Sequence, residues 1–187
     1  MTIAIEGFDL LFDTTARGET ARETLRQVAH AMPGSSFLLY TPRTPRRDAV
    51  ERLDMPHNVE LRLPAPQGFQ GQTWRLWGIP NHLGADRADI FHGPLGRLPL
   101  NISSSRVAAV VSVDDADLAP GGGLKGWMQR LLSRKACRAA SVVIAGSEET
   151  KARIADLSGV GKERITVIER GDAKGLESLY RRLAEGN

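Results

Sequence analysis

Short apolar runs, each closed by polar, glycine or proline residues, recur along this chain with helix-period segments between them. The clearest pair lies in residues 89–120. Asp89-Ile90-Phe91 ends in His92-Gly93-Pro94, and Val107 to Val113 ends in Asp114-Asp115. Strands that are apolar throughout, rather than alternating, are buried on both faces, which is the habit of parallel sheets. Parallel neighbours need a crossover of a dozen or more residues, and helices supply it. The pattern therefore predicts an α/β fold: a single doubly wound, mostly parallel sheet with helices on both faces.

The elements follow from periodicity and punctuation. Thr2–Glu6 is predicted as the first strand, and Gly18–Ala31 as a helix with Ala21, Leu25, Val28 and Ala29 on one face. Pro33-Gly34 stops that helix. Ser36–Thr41 and Asn58–Leu63 read as strands, Asp48–Leu53 as a short helix and Pro64–Gly71 as a loop. Thr73–Leu83 reads as a helix in one or two pieces, because Pro80 lacks the amide that continuity needs. Strands are then expected at Asp89–His92, Val107–Val113, Ser141–Ala145 and Arg164–Ile168. Helices are expected at Leu124–Ala139, after an N-cap at Ser147, and at Leu176–Ala184. Glu148 and Glu149 favour the helix that Ser147 opens.

Length and composition narrow the class. A chain of 187 residues with 41% hydrophobic and 25% charged residues suits one globular domain. No apolar run approaches the roughly 18 residues of a membrane span. A strand pattern begins at residue 2, so no signal peptide is expected. The single cysteine, Cys137, excludes an internal disulfide and fits a reducing cytoplasm. Net charge is +3 and the pI is about 9.3, a mild bias toward anionic partners. Nucleic acid is not among them: aromatics are 5%, and neither zinc-finger spacing nor a helix-turn-helix signal is present. No metal and no cofactor is expected, since no cluster has zinc spacing and no phosphate-binding loop occurs.

The candidate site lies where the strands end. In open α/β sheets, ligands bind at the carboxyl edge. His92 and Gly93 close one strand; Asp114 and Asp115 close another. His92 either contacts a ligand or is satisfied by the backbone around it. An ionised aspartate accepts hydrogen bonds but donates none. The Asp114-Asp115 pair therefore suits sugar hydroxyls, a divalent cation or a solvated turn. Gly7 and Gly18 stand too far apart for a dinucleotide fingerprint. In Leu124–Ala139, the residues Leu124, Trp127, Met128, Leu131 and Leu132 form an apolar stripe beside Lys125, Arg130, Arg134, Lys135 and Arg138. Such a stripe is ordinarily a core face with solvated charges; lying on an anionic membrane is the second reading.

Several of these segments also occur in order in one known family. Asp89 to Pro94 fits a D-(hydrophobic)-F-H-x-P strand end, and Val110 to Asp115 fits V-x-(T/S)-x-H-D, with Asp114 in place of the histidine. Trp74 to Leu83 fits W-x-x-x-x-(L/I)-P-x-x-L. Ala136 to Ile144, Ser147-Glu148 and Arg164 to Ile168 continue the likeness. From about residue 2 to 168 the chain resembles the N-terminal domain of family-4 retaining glycosyltransferases of the GT-B fold.

The resemblance implies a Rossmann-like domain over residues 1–168 and a C-terminal capping helix over 169–187. It implies transfer of a sugar from a nucleotide-sugar, with this domain on the acceptor side of the cleft. Asp114 takes the position of the family's catalytic histidine. Gly7, Gly18, His92, Gly93 and Asp115 are the implied substrate-binding residues. The motifs of a donor-binding domain do not follow, so catalysis is expected only with a donor-domain protein or through self-association. The implied acceptor is a glycan or a lipid-linked molecule. Apart from the resemblance, the expected location is cytoplasmic, with weak anionic membrane contact at the inner face through Leu124–Ala139 as the second reading of that helix. The alternative is a non-catalytic binding or assembly domain derived from a glycosyltransferase.

Overall fold

In the computed structural model, Thr2–Glu6 (β1), Ser36–Tyr40 (β2), Val59–Arg62 (β3), Ile90–Gly93 (β4), Ala108–Val113 (β5), Val142–Ala145 (β6) and Ile165–Val167 (β7) form one sheet. The structure describes residues 1–45, 47, 50–51, 54–64, 71–118 and 123–186. The strand order is β3-β2-β1-β4-β5-β6-β7, and every neighbouring pair is parallel. This is the Rossmann-like arrangement, wholly rather than mostly parallel. The short helix expected at 48–53 and the loop expected at 64–71 lie largely outside the described residues.

Helices cover both faces. Phe8–Phe12 (α1) and Ala16–Ala31 (α2) precede β2, and Ile79–Ala85 (α3) precedes β4. Asp115–Leu118 (α4) and Gly123–Ala139 (α5) follow β5. Glu148–Ser158 (α6) precedes β7, and Ala173–Glu185 (α7) ends the chain. Side chains alternate across each strand, so one strand feeds two cores. Ile3, Ile5, Phe37, Leu39, Val110 and Ile144 pack with α1, α2 and α7. Ala4, Leu38, Phe91, Val111, Val143 and Ala145 pack with α3, α5 and α6. Each fully buried Leu, Ile or Phe contributes about 1.5–3 kcal/mol.

Local rules explain most element ends. Ser147 caps α6 by accepting from the Thr150 amide, and Gly159 closes it in the left-handed region at φ 71°. Pro80 does not break its helix. Gly71–Thr73 leads into a π-helical segment, Trp74–Gly78, and Pro80 then sits in the first turn of α3, where a missing amide costs nothing. Helix α2 begins at Ala16, two residues before the expected Gly18.

One expectation is corrected. The apolar stripe of α5 is not its core face. Ser133, Ala136 and Cys137 are buried, whereas Trp127, Met128 and Leu131 are exposed. The small residues let the helix lie close on the sheet, which turns the large ones outward. Burial also raises the Cys137 thiol to about 11, with Asp117 adding to the shift.

Candidate functional site

Chain order reverses between β1 and β4, and the crevice at such a switch point is the natural ligand site of an open sheet. A space of about 100 Å³ opens there. Ile5 of β1, Ile144 of β6, Ala21, Leu25 and Val28 of α2, and Leu176 of α7 make its apolar walls. Ile168 to Asp172 passes over it before α7 begins. Leu176, Leu179 and Tyr180 of α7 are buried, and the helix packs on α2 and β4.

At the floor, His92 is 3% exposed. Its Nδ1 lies 2.6 Å from the Tyr180 hydroxyl and its Nε2 lies 2.8 Å from Ser112 Oγ. Both ring nitrogens are therefore engaged, one donating and one accepting. Burial pushes the imidazole down to about 3, so the ring is neutral. Burial also raises the Tyr180 phenol. This trio fixes α7 to β4 and β5.

The rim is ionic. Arg17 of α2 donates to both Asp117 oxygens, at 3.1 and 2.6 Å. Its Nε lies 3.0 Å from Asp114 Oδ2, an ion-pair contact rather than an aligned hydrogen bond. Arg170 donates to the same Asp114 oxygen at 2.6 Å. Burial works against the Arg17 charge, but Asp117 and then Asp114 more than offset it, and its pKa rises. Asp117 is 1% exposed and also accepts from the Asp114 amide at 3.0 Å. That bond is one half of a capping box at the start of α4.

The six residues singled out from sequence divide between jobs. Asp114, at the end of β5, lines the pocket mouth, and His92 lines its floor. Asp115 turns toward α6, where it pairs with Arg153 at 3.0 Å and accepts from Thr150 at 3.4 Å. The two adjacent carboxylates thus engage different elements. Among the described residues, no group of three or more His, Cys, Asp or Glu side chains is placed to hold a metal ion. Gly93 sits where a Cβ would lie 1.8 Å from the Arg97 carbonyl oxygen, and Gly18 where one would lie 2.5 Å from that of Asp13. Both allow close backbone packing. Gly7 donates its amide to the Tyr40 carbonyl at 2.8 Å, beyond the pocket lining.

Arg17, Arg170, Ser112 and Tyr180 carry the site's polar contacts and were not singled out from sequence. The Asp114-x-x-Asp117 spacing is a capping signal that was available. The Trp74 to Leu83 segment serves mostly in packing. Trp74 is buried and stacks on Tyr40, Arg75 pairs with the buried Glu6 at 2.7 Å, and Trp77 is exposed.

A parallel, doubly wound sheet with an apolar crevice and an ion-paired rim at its switch point defines a Rossmann-like domain. Residues 19–171 match the family model of glycosyl transferase 4-like domains, and the chain belongs to that family. The fold is similar to the UDP-GlcNAc 2-epimerase of Methanocaldococcus jannaschii, with a TM-score of 0.61 at 16% identity over 100% of this chain and 50% of that one. It is similar to the Neisseria meningitidis UDP-GlcNAc 2-epimerase bound to UDP-GlcNAc, with a TM-score of 0.60 at 13% identity, 99% of this chain and 52% of that one. Anabaena HepE in complex with UDP and glucose gives a TM-score of 0.54 at 18% identity, 91% of this chain and 44% of that one. The chain thus spans about half the length of these structures, as one half of a GT-B fold. No curated protein matches its sequence.

Proposed function

We propose that this domain is the acceptor-side wall of a GT-B glycosyltransferase cleft, and that it binds a hydroxyl-bearing molecule with an apolar body. One observation carries the reading: an apolar crevice whose mouth is lined by Arg17, Asp114 and Arg170, with the buried Asp117 pairing Arg17 from behind. Paired carboxylates and guanidiniums offer acceptors and donors to hydroxyls without a net field. A diphosphate asks for uncompensated positive charge or free backbone amides, and here Asp114 and Asp117 neutralise both arginines. Sugar transfer also needs a second wall to exclude water and to hold the nucleotide leaving group. That wall comes from another segment, another chain or a second copy.

A calorimetric titration with short alkyl glycosides, below their micelle concentrations, tests this. The expected result is saturable binding that weakens tenfold or more in Ala21→Phe, which fills the crevice from α2. Equal binding by both proteins would sink the proposal.

The arrangement of Asp114 favours a second reading, a non-catalytic binding domain. By resemblance this is the position of a histidine that hydrogen-bonds the reacting sugar. Here an acceptor-only carboxylate is held by two arginines. With the donor-binding wall present, Asp114→His separates the two. A gain in transfer supports the enzyme, and no gain supports the binding domain.

A further inference from the structure

The exposed face of α5 is explained neither by the fold nor by the cleft. Trp127, Met128 and Leu131 are 51%, 50% and 43% exposed. They account for three of the five large apolar side chains so exposed among the described residues. Helical spacing puts them in one patch. Trp127, Leu131, Arg134 and Arg138 follow i, i+4, i+7 and i+11; Met128, Leu131 and Lys135 follow i, i+3 and i+7. Arg130 flanks this patch. The seventeen-residue helix GLKGWMQRLLSRKACRA carries no acidic residue. Its opposite side, through Ser133, Ala136 and Cys137, is already committed to the core.

We infer that this face docks on an anionic lipid surface. Apolar and aromatic side chains alone would suit any apolar partner. Positive charges around them, without one negative charge on the helix, select a surface that is apolar beneath and negative on top. A tryptophan fits that boundary, because its ring is apolar and its N–H is polar. Arginine and lysine stems lie along the apolar layer while their heads reach the lipid phosphates. Among the described residues no helix is long and apolar enough to cross a membrane, so the contact is parallel to the surface. The inference stands on α5 alone and does not rest on the reading of the cleft.

Co-sedimentation of the full chain with vesicles tests it. The comparison is phosphatidylcholine alone against an equal mixture of phosphatidylcholine and phosphatidylglycerol. Binding to the mixed vesicles is expected to be at least tenfold tighter, and to fall steeply in 0.5 M salt because these contacts are screened. Trp127→Ser with Leu131→Gln is expected to weaken it tenfold or more. Arg134→Gln with Lys135→Gln is expected to remove the preference for the anionic mixture. All four positions lie off the buried side of α5, so unchanged circular dichroism and melting confirm intact folding. Equal binding to both vesicles, or binding to neither, overturns the inference. So does a dimer in light scattering that Trp127→Ser disperses, since a second copy would then cover the face.

Discussion

His92 and Asp114 stand at the ends of neighbouring strands, one residue type apart from interchangeable on paper, yet the fold gives them opposite settings. His92 closes β4 and is sealed between Tyr180 and Ser112. Asp114 follows the last residue of β5, four positions beyond Val110, the register partner of His92, and meets two arginines at the pocket mouth. The difference comes from what lies above each strand. Helix α7 presses Tyr180 onto His92, whereas Asp114 meets Arg17 from α2 and Arg170 from the segment before α7. A strand's end is thus not by itself a ligand contact. What crosses over it decides whether it is floor or rim.

The largest effect is expected where the rim becomes buried. Asp117→Ala removes both acceptors of the Arg17 guanidinium and the cap of the Asp114 amide. It should cost about 3 kcal/mol in urea unfolding, because it leaves Arg17 short of its main partner. A cost below about 1 kcal/mol would mean that the rim is solvent-screened throughout.

The floor should show itself in pH. A folded pKa of about 3 lies below the ordinary histidine value of about 6.5. Between those values the unfolded chain takes up a proton that the folded chain refuses. Stability from this group is therefore full above about pH 6.5 and is lost as pH falls toward about 3. Chemical denaturation from pH 6.5 to pH 5 should show a loss of about 2 kcal/mol, at about 1.4 kcal/mol per pH unit. His92→Gln should flatten that slope. An unchanged slope would put the imidazole in contact with water and erase the contrast with Asp114.

The smallest effect belongs to Asp114 itself. Its pair with Arg170 is half open to solvent, so Asp114→Asn should change stability by less than about 1 kcal/mol. The same variant should still weaken glycoside binding severalfold. A large stability loss without a binding effect would make Asp114 a structural residue like His92.

Much of this was legible in the chain. Strands β1, β2, β5 and β6 lie within one residue of their expected bounds, because buried parallel strands are apolar runs with sharp polar ends. Ser147 announced α6 through its capping chemistry. What could not be read was pairing at long range. Arg17 meets Asp117 across 100 residues, and Arg170 meets Asp114 across 56, with no local pattern linking either pair. The outward face of α5 was hidden for another reason. Its large apolar residues have the period of a core face, and only the close fit of Ser133, Ala136 and Cys137 on the sheet decides which side turns in.

The most direct test of the cleft is a saturation-transfer NMR panel on the unmodified chain, setting a short alkyl glycoside against UDP and GDP at equal millimolar concentration. The account requires saturable signals from the glycoside, strongest along its alkyl chain, and none from the nucleotides. Nucleotide binding without glycoside binding would contradict it, and would make the paired rim a phosphate site.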